Sequence, residues 1–512
     1  MSPPQPIPVE AVVLDGNSLT LDQLATVAGD GAPVRLDAEA LEAVKRSRAL
    51  IHKRLQGGKR IYGVNTGFGR LADVVISSDD QRALQRNLVR SHAAGLGDPL
   101  PVSEVRAAMI LRTNALARGQ SGCRPEVVER LADFLNQGIT PVVPEVGSVG
   151  ASGDLAPLAH IALGLIGEGS VHFKGDVVPA QVAIEKAGLQ RLELAEKEGL
   201  ALINGTQVTT GVGALSALRL RSLIDVADVA GAMTLEGAMG SPAPFRSEIH
   251  ETRPHPGQLR SAARLWSLLQ DSEIRESHRD NDPRVQDPYS LRCMPQVHGA
   301  AREASDYATR ILAREANSTT DNPLVLPDAE LIISGGNFHA QVVAQALDLL
   351  AIAAADLASI SERRIERLLN PDLSGLPAFL TREPGIQSGF MIAQVAAVDA
   401  LAEMRVLAHP ASVDSVPTSA AQEDHVSMGM AVARKLRRSV SLLEAVLGIE
   451  LLCGAQAVEY RRPLKASPGV EKALEIVRGV VDPLDEDRVL STDIELVRGL
   501  VRSGALNFAE WG

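Results

Sequence analysis

The segment Gly147-Ser-Val-Gly-Ala-Ser-Gly-Asp154 contains three consecutive small residues, Ala151, Ser152 and Gly153, that can react with one another. The amide nitrogen of Gly153 can attack the carbonyl carbon of Ala151, because glycine has no Cβ to obstruct a tight turn. Loss of water and dehydration of Ser152 would leave a methylidene imidazolone (MIO), an electrophile built from the chain itself. The alternative is an ordinary helix start, with Asp154 as the N-cap of the apolar run that follows. The tripeptide alone leaves both explanations open.

A second segment, Tyr62-Gly-Val-Asn-Thr-Gly-Phe-Gly69, places one of only four tyrosines in a glycine-rich loop. The segment also fits a loose GxGxxA pattern. A dinucleotide site would need a preceding strand and an acidic residue about 20 positions later, and the sequence has neither. Glycine-rich loops often act as lids over an active site. We therefore predict that Tyr62 lies on a mobile lid loop.

The segment from Gln286 to Arg292 carries a candidate carboxylate-binding side chain. Asp287 as N-cap and Pro288 at the first helical position predict a short helix, on which Tyr289 and Arg292 would share a face. The guanidinium of Arg292 suits two-pronged binding of a carboxylate. Taken alone, the segment is equally explained by a solvated arginine on a loop.

Two further polar side chains are ambiguous when each is considered alone. Ser419 and Gln422 fit a capping box, which predicts Glu423 in the first turn of a helix, where the helix dipole stabilises its charge. His92 follows Leu84 and Leu88 at intervals of four on one helical face, where a core histidine is the ordinary explanation.

Long helices must position these side chains. Short strand-like pieces such as Ala11–Leu14 occur near the N-terminus, and helical periodicity dominates afterwards. The pattern predicts helices at 82–92, 341–369 and 440–460, and the last is apolar on most of its faces. Such helices are buried among other helices, so we predict a mainly α fold with a central bundle. Their broad apolar surfaces also favour oligomerisation.

Composition excludes several classes of protein. The 512 residues carry 51 basic and 63 acidic side chains, a net charge of −12, which argues against a nucleic-acid partner. No uninterrupted apolar run is long enough to cross a membrane, and the N-terminus does not resemble a signal peptide. The three cysteines are far apart and no HExxH motif is present, so neither a disulfide framework nor a metal site is predicted. We expect a cytoplasmic protein.

Together, these segments resemble the aromatic amino-acid ammonia-lyase family, and within it the branch that acts on histidine. The resemblance extends from about residue 60 to about residue 465. It is carried by Tyr62-Gly-Val-Asn-Thr-Gly-Phe-Gly, Gly150-Ala-Ser-Gly-Asp-Leu-Ala-Pro-Leu-Ala-His, Leu202-Ile-Asn-Gly-Thr-Gln, Gln286-Asp-Pro-Tyr-Ser-Leu-Arg-Cys, Asp321-Asn-Pro-Leu, Ser334-Gly-Gly-Asn-Phe-His and Gln422-Glu-Asp-His-Val-Ser-Met.

The resemblance implies a mainly α fold like that of fumarase and aspartase. Residues 1–200 would form the smaller N-terminal region that carries the electrophile-forming loop and the tyrosine lid loop. Residues 201–512 would form the central bundle of long helices and the C-terminal helices. The chain would assemble as a homotetramer whose active sites are shared between subunits.

The resemblance also implies roles for individual residues. Ala151, Ser152 and Gly153 would form the methylidene imidazolone autocatalytically, with no external cofactor and no metal, and the substrate amine would add to it. Tyr62 would remove the β-proton of the substrate. The substrate-binding residues would be Arg292 and Asn204 for the carboxylate, Gln286 and Tyr289 lining the site, Phe338 beside the electrophile, and His92.

The substrate depends on two positions. Phenylalanine-specific relatives carry an apolar residue in place of His92 and typically glutamine in place of Glu423. Glu423 can pair with an imidazole and is therefore expected among the catalytic residues. The combination favours conversion of L-histidine to trans-urocanate and ammonia.

Three alternatives remain open. A tyrosine ammonia-lyase or a 2,3-aminomutase would use the same electrophile. A catalytically silent scaffold would have lost Ser152 or Tyr62, and both are present. A lyase of the fumarase type would carry a GSSxMPxKxN loop, which the sequence lacks.

Overall fold

The computed structural model describes residues 10–57, 60–67, 73–74, 76–77, 80–280, 282 and 284–507. Of the described residues, 59% are in helices and 7% in strands, which confirms the predicted mainly α fold class. The helices are α1 (Leu21–Ala25), α2 (Ala38–Gln56), α3 (Gln81–His92), α4 (Val102–Ala117), α5 (Pro125–Asn136), α6 (Leu155–Leu165), α7 (Ala180–Lys186), α8 (Glu198–Ile203), α9 (Gln207–Gly237), α10 (Ser247–Glu251), α11 (Pro256–Leu268), α12 (Glu273–Glu276), α13 (Tyr289–Arg292), α14 (Met294–Ala316), α15 (Gln341–Leu369), α16 (Pro371–Ser374), α17 (Met391–Leu407), α18 (Gly429–Glu459), α19 (Pro468–Arg478) and α20 (Leu490–Ser503).

Short strands connect some of these helices. They are β1 (Val12–Leu14), β2 (Val34–Leu36), β3 (Leu96–Pro99), β4 (Thr140–Pro141), β5 (Pro144–Val146), β6 (Ser170–Phe173), β7 (Asp176–Pro179), β8 (Leu324–Leu326) and β9 (Leu331–Ile333). β1 and β2 pair in parallel, whereas β3 with β5, β4 with β6, β6 with β7 and β8 with β9 pair antiparallel. The strand predicted near the N-terminus is thus present.

The chain divides into two compact units. Unit 1 comprises Met1–Leu215, Thr309–Leu347 and Pro410–Arg434. Unit 2 comprises Ser216–Ala308, Asp348–His409 and Lys435–Gly512. The division at residue 200 that the family resemblance implies stays a prediction.

Glycines on α9 allow other long helices to pack closely against it. In unit 2, a Cβ added at Gly237 would lie 2.6 Å from the Cβ of Ala457 on α18. In unit 1, a Cβ added at Gly213 would lie 2.6 Å from Cδ1 of Leu347 on α15. Side chains larger than hydrogen would push these helices apart, so the sequence of α9 itself favours close helix packing.

Helices α15 and α18 are long and apolar enough to cross a membrane by length and composition. Over their most apolar windows, however, 61% of the α15 residues and 83% of the α18 residues are buried inside the protein. Burial of this kind is typical of core helices, which agrees with the predicted helical core. The predicted bounds of α15, residues 341–369, are confirmed, and the predicted helix at 440–460 is the C-terminal part of α18.

Candidate active site

A cavity of about 700 Å³ in unit 1 brings together five of the predicted site residues: Tyr62, His92, Ser152, Asn204 and Glu423. Its other lining residues are mainly apolar, among them Val74, Ile76, Leu84, Leu88, Leu155 and Leu200. A small-molecule site typically has this volume and a mostly apolar lining with a few polar groups.

A second cavity of about 550 Å³ shares part of this lining. Tyr62, Ser152 and Glu423 line both cavities, and the second cavity adds Ala151 and Phe338. Phe338, which the family resemblance places beside the electrophile, is among the residues that line this second cavity, and its role stays a prediction.

Three packed helices of unit 1 position much of the polar lining. α3, α6 and α8 pack against one another. His92 is the last residue of α3, the tripeptide ends two residues before α6 begins, and Asn204 directly follows α8. The side chains between these ends are largely apolar and buried, including Leu88, Leu158 and Leu200. Burial of this apolar surface fixes the helix ends, and with them the polar groups.

The backbone of the tripeptide forms a tight turn against the loop that follows α8. Gly153 has φ of 73°, and a Cβ at this position would lie 2.2 Å from the carbonyl oxygen of Gly205. The Asp154 amide donates to that same oxygen at 2.7 Å. The Asn204 side chain donates from Nδ2 to the Ser152 carbonyl at 2.9 Å. Only glycine fits at position 153, so these residues fit a tripeptide that closes on itself.

Asp154 occupies the predicted N-cap position of α6, but its side chain makes no capping hydrogen bond to that helix. Its carboxylate instead accepts from the backbone amide and hydroxyl of Thr209, both at 2.7 Å, and from the Ser148 hydroxyl at 3.0 Å. Burial raises the pKa of Asp154, and these hydrogen bonds act in the opposite direction. Asp154 therefore ties the segment that contains the tripeptide to the start of α9.

The prediction that Glu423 lies in the first turn of a helix is wrong. Ser419, Ala420 and Ala421 all have positive φ, and the next helix begins only at Gly429. Consecutive left-handed residues cannot continue a right-handed helix. They turn the chain so that Thr418 and Glu423 form an antiparallel bridge, and Glu423 is not part of a helix.

This turn presents the Glu423 carboxylate to the tripeptide. The Ser152 hydroxyl donates to Oε1 of Glu423 at 2.7 Å, and the Thr418 hydroxyl donates to Oε2 at 2.8 Å. A carboxylate thus lies in direct contact with the side chain that would be dehydrated during electrophile formation.

His92 lies in the same cavity as Glu423. Burial lowers the pKa of His92, while the Leu88 carbonyl and the Glu423 carboxylate act in the opposite direction. Nδ1 of His92 is 2.9 Å from the carbonyl oxygen of Leu88. Because a carbonyl only accepts, Nδ1 carries the proton in the neutral ring and Nε2 is left as an acceptor.

Tyr62 lines both cavities with a half-buried side chain. The described part of its loop extends to Gly67, and the rest of the predicted lid segment, residues 68–69, lies outside the described residues. Its role as a lid stays a prediction.

Gln286, Tyr289 and Arg292 belong to unit 2. The predicted short helix is present as α13, but it begins at Tyr289 with Pro288 as its N-cap, one residue later than predicted. The Asp287 carboxylate accepts from the Ser241 amide at 2.6 Å instead of capping α13. The shared face of Tyr289 and Arg292 is confirmed, since the guanidinium lies 4.6 Å from the ring centroid. The roles of all three in substrate binding stay predictions.

Three side chains that support the site were not predicted from the sequence: Thr418, which holds Glu423; Thr209, which holds Asp154; and Arg112. Arg112 donates to the backbone around Asn204 and is 1% exposed. One signal was available for Arg112, because a single charge within the apolar run 107–117 must be buried and therefore must have partners. The two threonines leave no comparable signal in the sequence. No group of side chains suited to a metal ion occurs among the residues that the structure describes.

The chain is similar to known proteins over nearly its whole length. The family model for aromatic amino acid lyases matches residues 19–479. The chain is 55% identical to the histidine ammonia-lyase of Myxococcus xanthus (strain DK1622) over 495 residues, which cover 97% of each protein. It is similar to the crystal structure of histidine ammonia-lyase from Trypanosoma cruzi, with a TM-score of 0.90, 44% identity, and coverage of 97% of this chain and 94% of that one. The tyrosine aminomutase from Streptomyces globisporus gives a TM-score of 0.93 at 40% identity and 98% coverage of both chains.

Proposed function

Because the chain belongs to the aromatic amino acid lyase family, we propose that it converts L-histidine to trans-urocanate and ammonia. Such a reaction breaks the Cα–N bond and one Cβ–H bond of the substrate, so the protein is a carbon–nitrogen lyase. The observation that carries the proposal is the contact of Ser152 with Glu423, in a cavity that His92 and Tyr62 also line.

Two hydrogen-bond acceptors in the cavity favour histidine as the substrate. The Glu423 carboxylate can only accept, and Nε2 of the neutral His92 ring also accepts because the proton resides on Nδ1. A protonated imidazole ring offers two N–H donors and can satisfy both acceptors. A phenol offers one donor, so one of the two acceptors would receive no hydrogen bond from the substrate ring. The identity to histidine ammonia-lyases agrees with this choice over the tyrosine alternative.

We assign the MIO group to Ala151, Ser152 and Gly153. Once formed, it would supply an electrophile for the substrate amine without an external cofactor. The Asn204 amide would hold the backbone carbonyl of Ser152, as the 2.9 Å hydrogen bond indicates. After dehydration the Ser152 hydroxyl no longer exists, so Oε1 of Glu423 is free to accept from the substrate ring.

The remaining roles are those that the family resemblance implies. Tyr62 would take the β-proton of the substrate, and Phe338 would pack beside the tripeptide. Arg292, helped by Asn204, would bind the substrate carboxylate, with Gln286 and Tyr289 lining the site.

We propose a homotetramer with active sites shared between subunits. One face of α17 supports association, because Ile392, Val395 and Val406 are 65%, 56% and 74% exposed. Apolar side chains repeated at helical spacing and left open to water are typical of a surface that another chain covers. We further propose a cytoplasmic location, with neither nucleic acid nor a membrane as a partner, in line with the net charge of −12.

Incubation of the purified protein with L-histidine tests the proposal. We expect an increase in near-ultraviolet absorbance as urocanate forms, and no increase for the Ser152→Ala variant. Parallel reactions with L-tyrosine and L-phenylalanine test the alternatives. A cinnamate-type product from tyrosine, without urocanate from histidine, would contradict the assignment of His92 and Glu423. A β-amino acid as the main product would identify a 2,3-aminomutase.

A further inference from the structure

Arg112 is a fully buried charge that the proposed reaction does not use. It lies on α4, in the run Met109-Ile-Leu-Arg-Thr-Asn-Ala-Leu116, whose side chains are all buried. Burial lowers the pKa of Arg112, and the carboxylate of Asp321 acts in the opposite direction. A guanidinium in such a place is retained only if its hydrogen bonds compensate for the loss of water.

Arg112 directs these hydrogen bonds to a single loop. Nη1 donates to the carbonyl oxygen of Asn204 and to Oε1 of Gln207, both at 2.9 Å, and Nη2 donates to the carbonyl oxygen of Ala201. Residues 201–207 are the C-terminal end of α8, the loop after it and the start of α9. The guanidinium therefore fixes the path of the backbone between the two helices.

The opposite side of this loop contacts the tripeptide. A Cβ added at Gly205 would lie 2.6 Å from Nη1 of Arg112, and a Cβ added at Gly153 would lie 2.2 Å from the Gly205 carbonyl oxygen. Gly205 is thus enclosed between the guanidinium and Gly153. Neighbouring Asn204 donates to the Ser152 carbonyl. Movement of the loop toward Arg112 would remove the support of the tight turn.

We infer that Arg112 is a positioning residue for maturation of the tripeptide, an inference that rests on the proposed function. By holding the 201–207 loop, Arg112 keeps Ser152 and Gly153 in the turn that cyclisation requires. In that reaction a bond forms between the Gly153 nitrogen and the Ala151 carbonyl carbon.

Maturation of the tripeptide releases two water molecules. The Ala151 oxygen leaves with the protons of the Gly153 and Ser152 amides. The Ser152 hydroxyl leaves with the Ser152 α-proton. The chain itself supplies all of these atoms, so no oxidant or other co-reactant is needed. Intact mass reports the reaction directly, because the mature chain is two waters lighter than its sequence.

The test compares Arg112→Met with a matched control, Arg106→Met. Arg106 lies on the same helix, is 6% exposed, and donates to the backbone carbonyls of Val27 and Leu135, which are not part of the 201–207 loop. Both variants lose a buried arginine with hydrogen bonds to carbonyl groups. Only Arg112→Met loosens the loop against the tripeptide. Arg112→Lys is included because an ammonium group can replace part of the hydrogen bonding.

We expect the rate of conversion to the mature mass to fall about tenfold or more in Arg112→Met, as loss of a charged hydrogen-bond donor implies. Arg106→Met should mature like the wild type, and Arg112→Lys should lie between the two. The thermal unfolding midpoint is measured for every variant, so that a general loss of stability is recognised.

Equal maturation of Arg112→Met, Arg106→Met and wild type would overturn the inference. If Arg112→Met does not fold, the lysine variant decides, and maturation of it at the wild-type rate would equally overturn the inference. A wild-type protein with the full mass of its sequence would refute the proposed function itself, which is a distinct result.

Discussion

Gly153 combines a left-handed backbone conformation with a close approach to the backbone of Gly205. We therefore expect Gly153→Ala to block maturation. A side chain at φ of 73° costs about 1–2 kcal/mol, because the left-handed region is unfavourable for L-residues. The new Cβ would also lie 2.2 Å from the carbonyl oxygen and 2.5 Å from the carbonyl carbon of Gly205. These are backbone atoms on a loop held by Arg112, so they cannot yield as a flexible side chain would.

Overpacking of this kind costs about 1–3 kcal/mol. The larger effect is geometric, since relief of the contact requires Gly153 to move away from Gly205. The turn between Ala151 and Gly153 then opens, and the amide nitrogen no longer reaches the carbonyl carbon. We expect Gly153→Ala to keep the full mass of its sequence and to form no urocanate.

The control variant Gly175→Ala separates the cost of a positive φ from the effect of the overlap with Gly205. Gly175 has φ of 92°, and a Cβ added there would meet nothing within 4 Å. This control therefore carries the backbone cost without the overlap. Intact mass after denaturation and the thermal unfolding midpoint are measured for both variants. Maturation of Gly153→Ala to the wild-type extent would refute the reasoning, because the close approach of Gly205 would then be unnecessary.

Three further predictions concern other side chains. Glu423→Gln should lower kcat/KM for L-histidine about tenfold or more, because a neutral amide replaces a charge-assisted acceptor; an unchanged value in the urocanate assay would contradict the assigned pairing. Tyr62→Phe should lower kcat about 10²- to 10⁴-fold and leave the mature mass intact, so a variant with full activity would exclude Tyr62 as the base. Burial lowers the pKa of His298, with Asp228 acting in the opposite direction, so the unfolded chain binds this proton more readily than the folded protein. The neutral His298 ring therefore stabilises the folded protein at pH values above about 6.5, the pKa of histidine in the unfolded chain, and this stabilisation is lost as the pH falls. His298→Gln should therefore flatten the decline of the unfolding midpoint as the pH falls below about 6.5, as measured by calorimetry, and an equally steep decline would argue against this role.

Local pattern was sufficient to predict α3, α15 and the C-terminal part of α18. The bounds of α15 at Gln341 and Leu369 follow from apolar periodicity along the helix itself. Interactions three and four residues apart determine a helix, and these are visible in the sequence. The motif around Ser152 likewise made the tripeptide a candidate, because its chemistry depends on three adjacent residues, and the family resemblance favoured this chemistry over an ordinary helix start.

The surroundings of the tripeptide were decided by tertiary structure. A local pattern predicted a helix around Glu423, yet three left-handed residues turn that segment. The Glu423 carboxylate accepts a hydrogen bond from Ser152, which is 271 positions away in sequence. Asp154 occupies the position of a helix cap, but binds Thr209, 55 residues away. Each of these partners is far away in sequence. A carboxylate accepts hydrogen bonds from the donors that packing brings close to it. Packing joins segments that are far apart in the chain, and such contacts leave no periodic pattern in the sequence.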